Sequence, residues 1–140
     1  MTRALLDTDI LSELMKGKDL RVAERGRAYL AVHGRYALSA VTSMEIAYGF
    51  RRVARLDRLE RFEAFLLAHE VLPFDGEAAL LAGKVDAELE ALGRRVDLGD
   101  VMIAATAVRH ALIVVTGNVA HYEAIRATGL ALNIDNWRGG

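Results

Sequence analysis

Short apolar runs alternate with longer stretches of helical periodicity along the whole chain. Ala4–Leu6 is a run of three that meets Asp7-Thr8-Asp9, and a helical stretch follows from Ile10 to about Lys16, with Gly17 placed to end it. Leu20 to Val32 reads as a second helix closed by Gly34, Tyr36–Val41 as a second strand, and Thr42 as the opening of a helix through Val53. A further helix spans about Leu56–Ala68, where Leu59, Phe62, Phe65 and Leu66 form one apolar stripe at helical spacing. Val71–Phe74 is a third strand, followed by Asp75-Gly76 and a long helix from about Glu77 to Leu92 that Gly93 stops. Gly99-Asp100 leads into a helix over Val101–His110, and Leu112–Val115 is the clearest strand of all. A short helix near Ala120–Ala127 and a last strand near Leu130–Ile134 complete the pattern.

Short strands alternating with helices point to parallel pairing through crossovers, and uninterrupted apolar strands fit a sheet covered on both faces. The prediction is an α/β sandwich around a parallel sheet of about five strands. With 140 residues, residues 1–140 are read as a single domain. There is no cysteine, which excludes thiolate zinc sites, iron–sulfur clusters and cysteine nucleophiles, and makes an intracellular, cytoplasmic home the expectation. Polar Asp7 comes too early for a signal peptide, and no apolar run reaches membrane-spanning length, so no membrane role is expected. Eighteen basic residues against nineteen acidic ones leave a net charge of −1, so a nucleic acid has to be met by a local basic patch. Arg51, Arg52, Arg55, Arg58 and Arg61 form the one basic cluster, either a solvated helical face or a contact for RNA phosphates.

In open α/β sheets ligands collect beyond the carboxyl ends of the strands, and several acids fall there. Asp7 follows the first strand directly, Glu45 lies in the first turn of the helix after the second, and Asp100 opens the helix leading to the fourth. Thr116-Gly117-Asn118 closes that fourth strand. Three carboxylates on one edge repel each other unless a cation sits between them, and hard oxygen donors suit Mg²⁺ or Mn²⁺. Each acid also has a plainer reading. Asp9 reads as the N-cap of the first helix. Thr42-Ser43-Met44-Glu45 fits a capping box, and Asp100 suits the positive end of its helix. Asp7 has no helix of its own to cap on this reading. Asp75 and Asp97 read as cap or loop residues, and His33, His69, His110 and His121, with no paired spacing, as surface or structural residues.

The segments LLDTDILSEL, LSAVTSMEIAYGF, DVMIAATAV and VVTGN, in that order and spacing, resemble the PIN-domain ribonuclease family, and more narrowly the VapC-type toxins of bacterial type II toxin–antitoxin pairs. The resemblance extends over nearly the whole chain, to Leu132-Asn133-Ile134-Asp135-Asn136-Trp137. It implies a three-layer PIN-like sandwich, with the family's metal-binding acids falling on Asp7, Glu45 and Asp100. The fourth family position falls on Asn118, where a neutral amide lowers the site charge and weakens the case for a second tightly held metal. Thr8 and Thr116 match the small hydroxyl residues that the family keeps beside its acids.

The resemblance further implies an endoribonuclease using Mg²⁺ or Mn²⁺ to activate water, with Asn118 orienting water or substrate and Thr116 supporting the acids. Structured RNA, tRNA foremost, is the expected substrate, with 5′-phosphate and 3′-hydroxyl products. A homodimer and a small cognate antitoxin are the expected partners. The antitoxin is expected in a groove along the helices carrying Met44, Ala47, Phe50, Val53, Leu59, Phe62, Phe65 and Leu66, together with Leu11, Leu14 and Met15 of the first. Rival readings fare worse. An aspartyl-phosphate phosphatase matches LLDTD but needs a later lysine and an acidic pair, and after Thr116 there is no lysine and only the separated Glu123 and Asp135. A receiver domain matches Val71–Asp75 but needs a lysine at a late strand end, and Lys16, Lys18 and Lys84 are none. A PIN-like interaction module that binds without cutting keeps the fold, but intact Asp7, Glu45 and Asp100 weigh against it.

Overall fold

A computed structural model describes residues 2–139. Five strands and seven helices follow one another among them as β1 (Ala4–Leu6), α1 (Thr8–Lys16), α2 (Leu20–His33), β2 (Ala37–Ser39), α3 (Ala40–Arg52), α4 (Leu56–Ala68), β3 (Glu70–Leu72), α5 (Gly76–Ala91), α6 (Leu98–Arg109), β4 (Ile113–Val115), α7 (Val119–Arg126) and β5 (Ile134–Asp135). The strands form one sheet in the order β3-β2-β1-β4-β5, all neighbours parallel. Central β1 pairs Leu5 with Ala37 on one side and with Val114 on the other.

Alternation along these short strands divides two cores. Leu5, Ala37 and Val114 face α5, α6 and α7, where Val85, Leu89, Ile103 and Ile125 fill the space. Ala4, Leu6, Leu38 and Val115 face the other way, onto Ile10, Leu11, Val22, Tyr29, Leu59 and Phe62 of α1, α2 and α4. Helix α3 spans the two, with Val41 in the first core and Ile46 in the second. The result is the three-layer α/β sandwich that the apolar strands predict.

The helix ends explain two departures from expectation. Helix α1 starts at Thr8, and its N-cap is Asp7, whose Oδ1 accepts from the Ile10 amide at 3.3 Å; Asp9 lies in the first turn and caps nothing. Helix α3 starts at Ala40, straight from the sheet, because buried Ser39 caps it by accepting from the Thr42 amide at 3.1 Å. Glu45 therefore sits in the second turn, past the reach of a capping box. Asp75 and Asp97 are caps as expected, of α5 and α6. Gly17 and Gly34 end α1 and α2 with φ of 69° and 80°, the left-handed conformation that glycine adopts without steric cost. The last strand is shorter and later than the Leu130–Ile134 run suggests, because Leu130 and Leu132 are spent on the core.

Candidate functional site

The chain reverses direction across the sheet at β1, since β2 and β3 lie on one side of it and β4 and β5 on the other. The carboxyl ends of β1 and β4 therefore open a crevice between them, the place where open α/β sheets bind ligands. The Asp7 amide donates to Val115 O at 3.0 Å, which sets the two strand ends side by side. Thr116 then donates its hydroxyl to Asp7 Oδ2 at 2.5 Å and accepts the Asn118 amide at 2.8 Å. Both oxygens of Asp7 are thus in use, one on the helix and one on Thr116, and the residue is 3% exposed. From α1, Thr8 donates to Glu45 Oε1 at 2.5 Å and lies 3.1 Å from Thr42 Oγ1. From α6, Asp100 faces α7, with Oδ2 2.8 Å from His121 Nδ1 and 3.3 Å from Asn118 Nδ2, and Oδ1 3.4 Å from the Tyr122 hydroxyl.

These groups line one open cleft of about 460 Å³, bounded by Asp7, Thr8, Asp9, Glu45, Asp97, Asp100, Gly117 and Asn118. Two glycines let its walls close up. A side chain at Gly99 would come within 2.7 Å of Glu45 Oε2, and one at Gly117 within 2.6 Å of Asp9 Oδ2. The charge density is high. Burial, then the neighbouring Asp9 carboxyl, push the Asp7 carboxyl up to about 9, against the pull of Thr116 and the Ile10 amide. Burial also raises Asp100, opposed by His121. Tyr122, fully buried beneath the cleft, is raised by burial and then by the charges of Asp7, Asp100, Asp9 and Glu45 together. A cation relieves this crowding. The donors are hard oxygens without a thiol, which fits Mg²⁺ or Mn²⁺. Among the described residues no three His, Asp or Glu side chains already stand together as a ready-made ion cage.

The PIN domain pattern matches residues 4–126. The chain is 36% identical over 126 residues to a tRNA(fMet)-specific endonuclease VapC of Shigella flexneri, covering 89% of this chain and 93% of that one. It is 33% identical over 138 residues to the protein of the same name from Salmonella typhimurium, covering 98% and 99%. The crystal structure of DNA-bound VapBC from Salmonella typhimurium superposes with a TM-score of 0.82 at 33% identity, over 98% of this chain and 99% of that one. The chain belongs to the PIN-domain family, in its VapC branch.

In this PIN domain the acids expected from sequence, Asp7, Glu45 and Asp100, line one cleft with Asn118, and Thr116 braces Asp7 from behind. Asp9, expected only as a cap, lines the cleft too, accepting from the Gly117 amide at 3.2 Å. Asp97 caps α6 and lines the cleft at once. His121 was expected as a surface or structural residue and instead contacts Asp100 and Asn118. Its signal was the three-residue step from Asn118 onto one face of a short helix. Arg138, near the chain's end, carried no sequence signal at all; it reaches Asp9, Glu13 and Asp19.

Proposed function

We propose that this VapC-family PIN domain is a metal-dependent endoribonuclease toxin, with Asp7, Glu45 and Asp100 holding Mg²⁺ or Mn²⁺ directly or through water. The observation that carries the proposal is the buried Asp7 carboxyl, crowded by Asp9 at the mouth of an open acidic cleft, with Thr116 behind it. When bound, the ion activates water for attack on a phosphodiester and offsets charge on the phosphoryl oxygens. The chain's own residues orient the parts. Thr116 and the α1 N-terminus fix the two oxygens of Asp7, Thr8 fixes Glu45, and His121 with Asn118 fixes Asp100. The names of the relatives support structured RNA, and tRNA in particular, as substrate. Sequencing RNA ends after brief expression tests this. Discrete cuts with 5′-phosphates, lost on chelation of divalent ions, are expected; unchanged RNA ends, or cuts that survive chelation, overturn the reading.

The proposal includes a cognate antitoxin, supported by the likeness to VapBC. A groove of about 570 Å³ lies where α1, α3 and α4 meet, with Met15, Phe50, Phe62 and Phe65 along it and Lys16, Lys18, Arg58 and Arg61 at its edges. It is narrower in composition than the sequence suggests, because Leu11 and Leu59 are core, and Met44 and Val53 stand in solvent at 61% and 56% exposure. An amphipathic antitoxin segment with acidic residues beside its apolar face fits this lining. A homodimer and a cytoplasmic location complete the proposal.

A further inference from the structure

The metal reading leaves one acid of the cleft without a task. Asp9 lines the cleft beside Asp7, and its carboxylate also meets two other groups. The Gly117 amide donates to Oδ2 at 3.2 Å, and Arg138 Nε stands 3.6 Å from the same oxygen. Arg138 is itself held. Its Nη1 meets Glu13 Oε1 at 3.1 Å and Asp19 Oδ2 at 3.8 Å, and its Nη2 donates to Asp9 O at 3.5 Å. The residues before it are anchored as well. Trp137 is 4% exposed and 5.8 Å from the Tyr29 ring, and Arg25 donates to Asn136 O at 2.7 Å. A second observation concerns Gly117. A side chain there would come within 2.8 Å of Arg138 Cδ and Nε, so this glycine leaves the room that the guanidinium occupies.

We propose that Arg138 is a positioning residue of the nuclease, which keeps Asp9 off the metal ion and fixes the 116–118 turn through the Gly117 amide. The proposal rests on the metal reading of Asp7, Glu45 and Asp100. Its physical basis is a choice between two partners. A carboxylate that accepts a backbone amide and has a guanidinium charge 3.6 Å from the same oxygen is held toward them, whereas one freed of that charge beside Asp7 adds a hard ligand to the cation site. Arg138 thus sets how many carboxylates the ion meets, and with it how tightly the ion is held. It also links the end of the chain to the turn that carries Thr116 and Asn118.

Calorimetric titration of metal-free protein with Mn²⁺ tests the first claim. Arg138→Gln is expected to tighten Mn²⁺ binding about tenfold, and Arg138→Lys, which keeps the charge but not the fork, by less. In an Asp9→Asn background the same Arg138→Gln change is expected to alter the affinity less than twofold, since the coupling between the two sites is what the cycle measures. Unchanged affinity in Arg138→Gln, or an equal change in both backgrounds, overturns the proposal, the latter by reducing Arg138 to one more nearby charge. Amide hydrogen exchange at Gly117 tests the second claim without metal, with exchange at least tenfold faster in Arg138→Gln than in wild type. Wild-type protein that cuts RNA but takes up no Mn²⁺ sinks the metal reading instead. In that case the Gly117 exchange alone decides whether Arg138 holds the turn: faster exchange supports it, and unchanged exchange overturns it.

Discussion

Asp7 is the residue whose environment asks most of it, because it caps a helix, accepts from Thr116 and sits almost wholly out of solvent beside another acid. Asp7→Asn keeps the shape and the cap but removes the charge. We expect RNA cleavage to fall by more than the roughly 10–100-fold that losing a supporting partner of a metal ligand costs. The metal-free melting temperature is expected to rise, because a neutral amide is buried there, and beside Asp9, at less cost than a carboxyl. Cleavage at the wild-type rate overturns its metal role. Thr116→Val removes only the hydroxyl behind Asp7, and a fall of roughly 10–100-fold in turnover is the expected reading of single-turnover kinetics. Glu45→Gln separates two roles that spacing alone left open. With Glu45 in the second turn of α3, no capping hydrogen bond survives to be kept by glutamine, so a large loss of turnover is expected, with little change in melting temperature. At this scale the sequence showed which residues carry charge at strand ends. It hid what those charges touch. Asp9, His121 and Arg138 reach partners from 21 to 129 positions away, as in Asp9 with Gly117, His121 with Asp100 and Arg138 with Asp9.

Helices and strands were far more legible, because apolar periodicity and glycine stops act locally. Helix α4 spans Leu56–Ala68, the range that its apolar stripe predicts, and Gly17, Gly34 and Gly93 mark three helix ends. What escaped was the first turn. Helices α1 and α3 grow straight out of strands, so their caps are the strand-end residues Asp7 and Ser39 themselves, and the polar residues that look like caps, Asp9 and Thr42, fall inside. The contact of α2 with α1 and with Tyr36, just ahead of β2, depends on Gly26, where an added methyl would stand 2.5 Å from Leu14 Cδ2 and 2.6 Å from the Tyr36 hydroxyl oxygen. Gly26→Ala is expected to destabilise the fold by about 1–3 kcal/mol in denaturant titration, since the tyrosine ring cannot fold away. The junction of α4 with β3 carries a pH dependence. His69 accepts the Tyr36 amide on Nδ1 at 2.9 Å and stacks on Phe65 at 4.1 Å, and burial lowers its pKa from 6.5. A lowered histidine favours its neutral form in the fold, so its stabilisation is complete above 6.5 and declines as pH falls below that value toward the folded pKa. The stability gap between wild type and His69→Asn, which keeps an acceptor for the amide, is expected to narrow between pH 7.5 and pH 5.5.

Over the whole molecule the near-zero net charge hides a separation. Acids gather at the cleft, whereas Lys16, Lys18, Arg58 and Arg61 surround the groove at the far end of α1, roughly 10 Å along the helix. The arginine cluster read from sequence divides accordingly. Arg58 and Arg61 face the groove, and Arg55 is occupied by Asp57 at 3.0 Å. Reversing charge with Arg58→Glu and Arg61→Glu together is expected to weaken antitoxin copurification at least tenfold and to leave metal-dependent RNA cleavage near wild type. Unchanged copurification would place the antitoxin elsewhere. The strand order has a consequence for how such an enzyme is made. β1 is synthesised first, but it takes its place at the centre of the sheet only when β4, more than a hundred residues later, pairs with it through Leu5 and Val114. Asp7 meets Thr116 only at that moment. A ribosome that stalls before β4 therefore releases a chain with no cleft, and the chemistry of this site begins only after both halves of the sheet have been made.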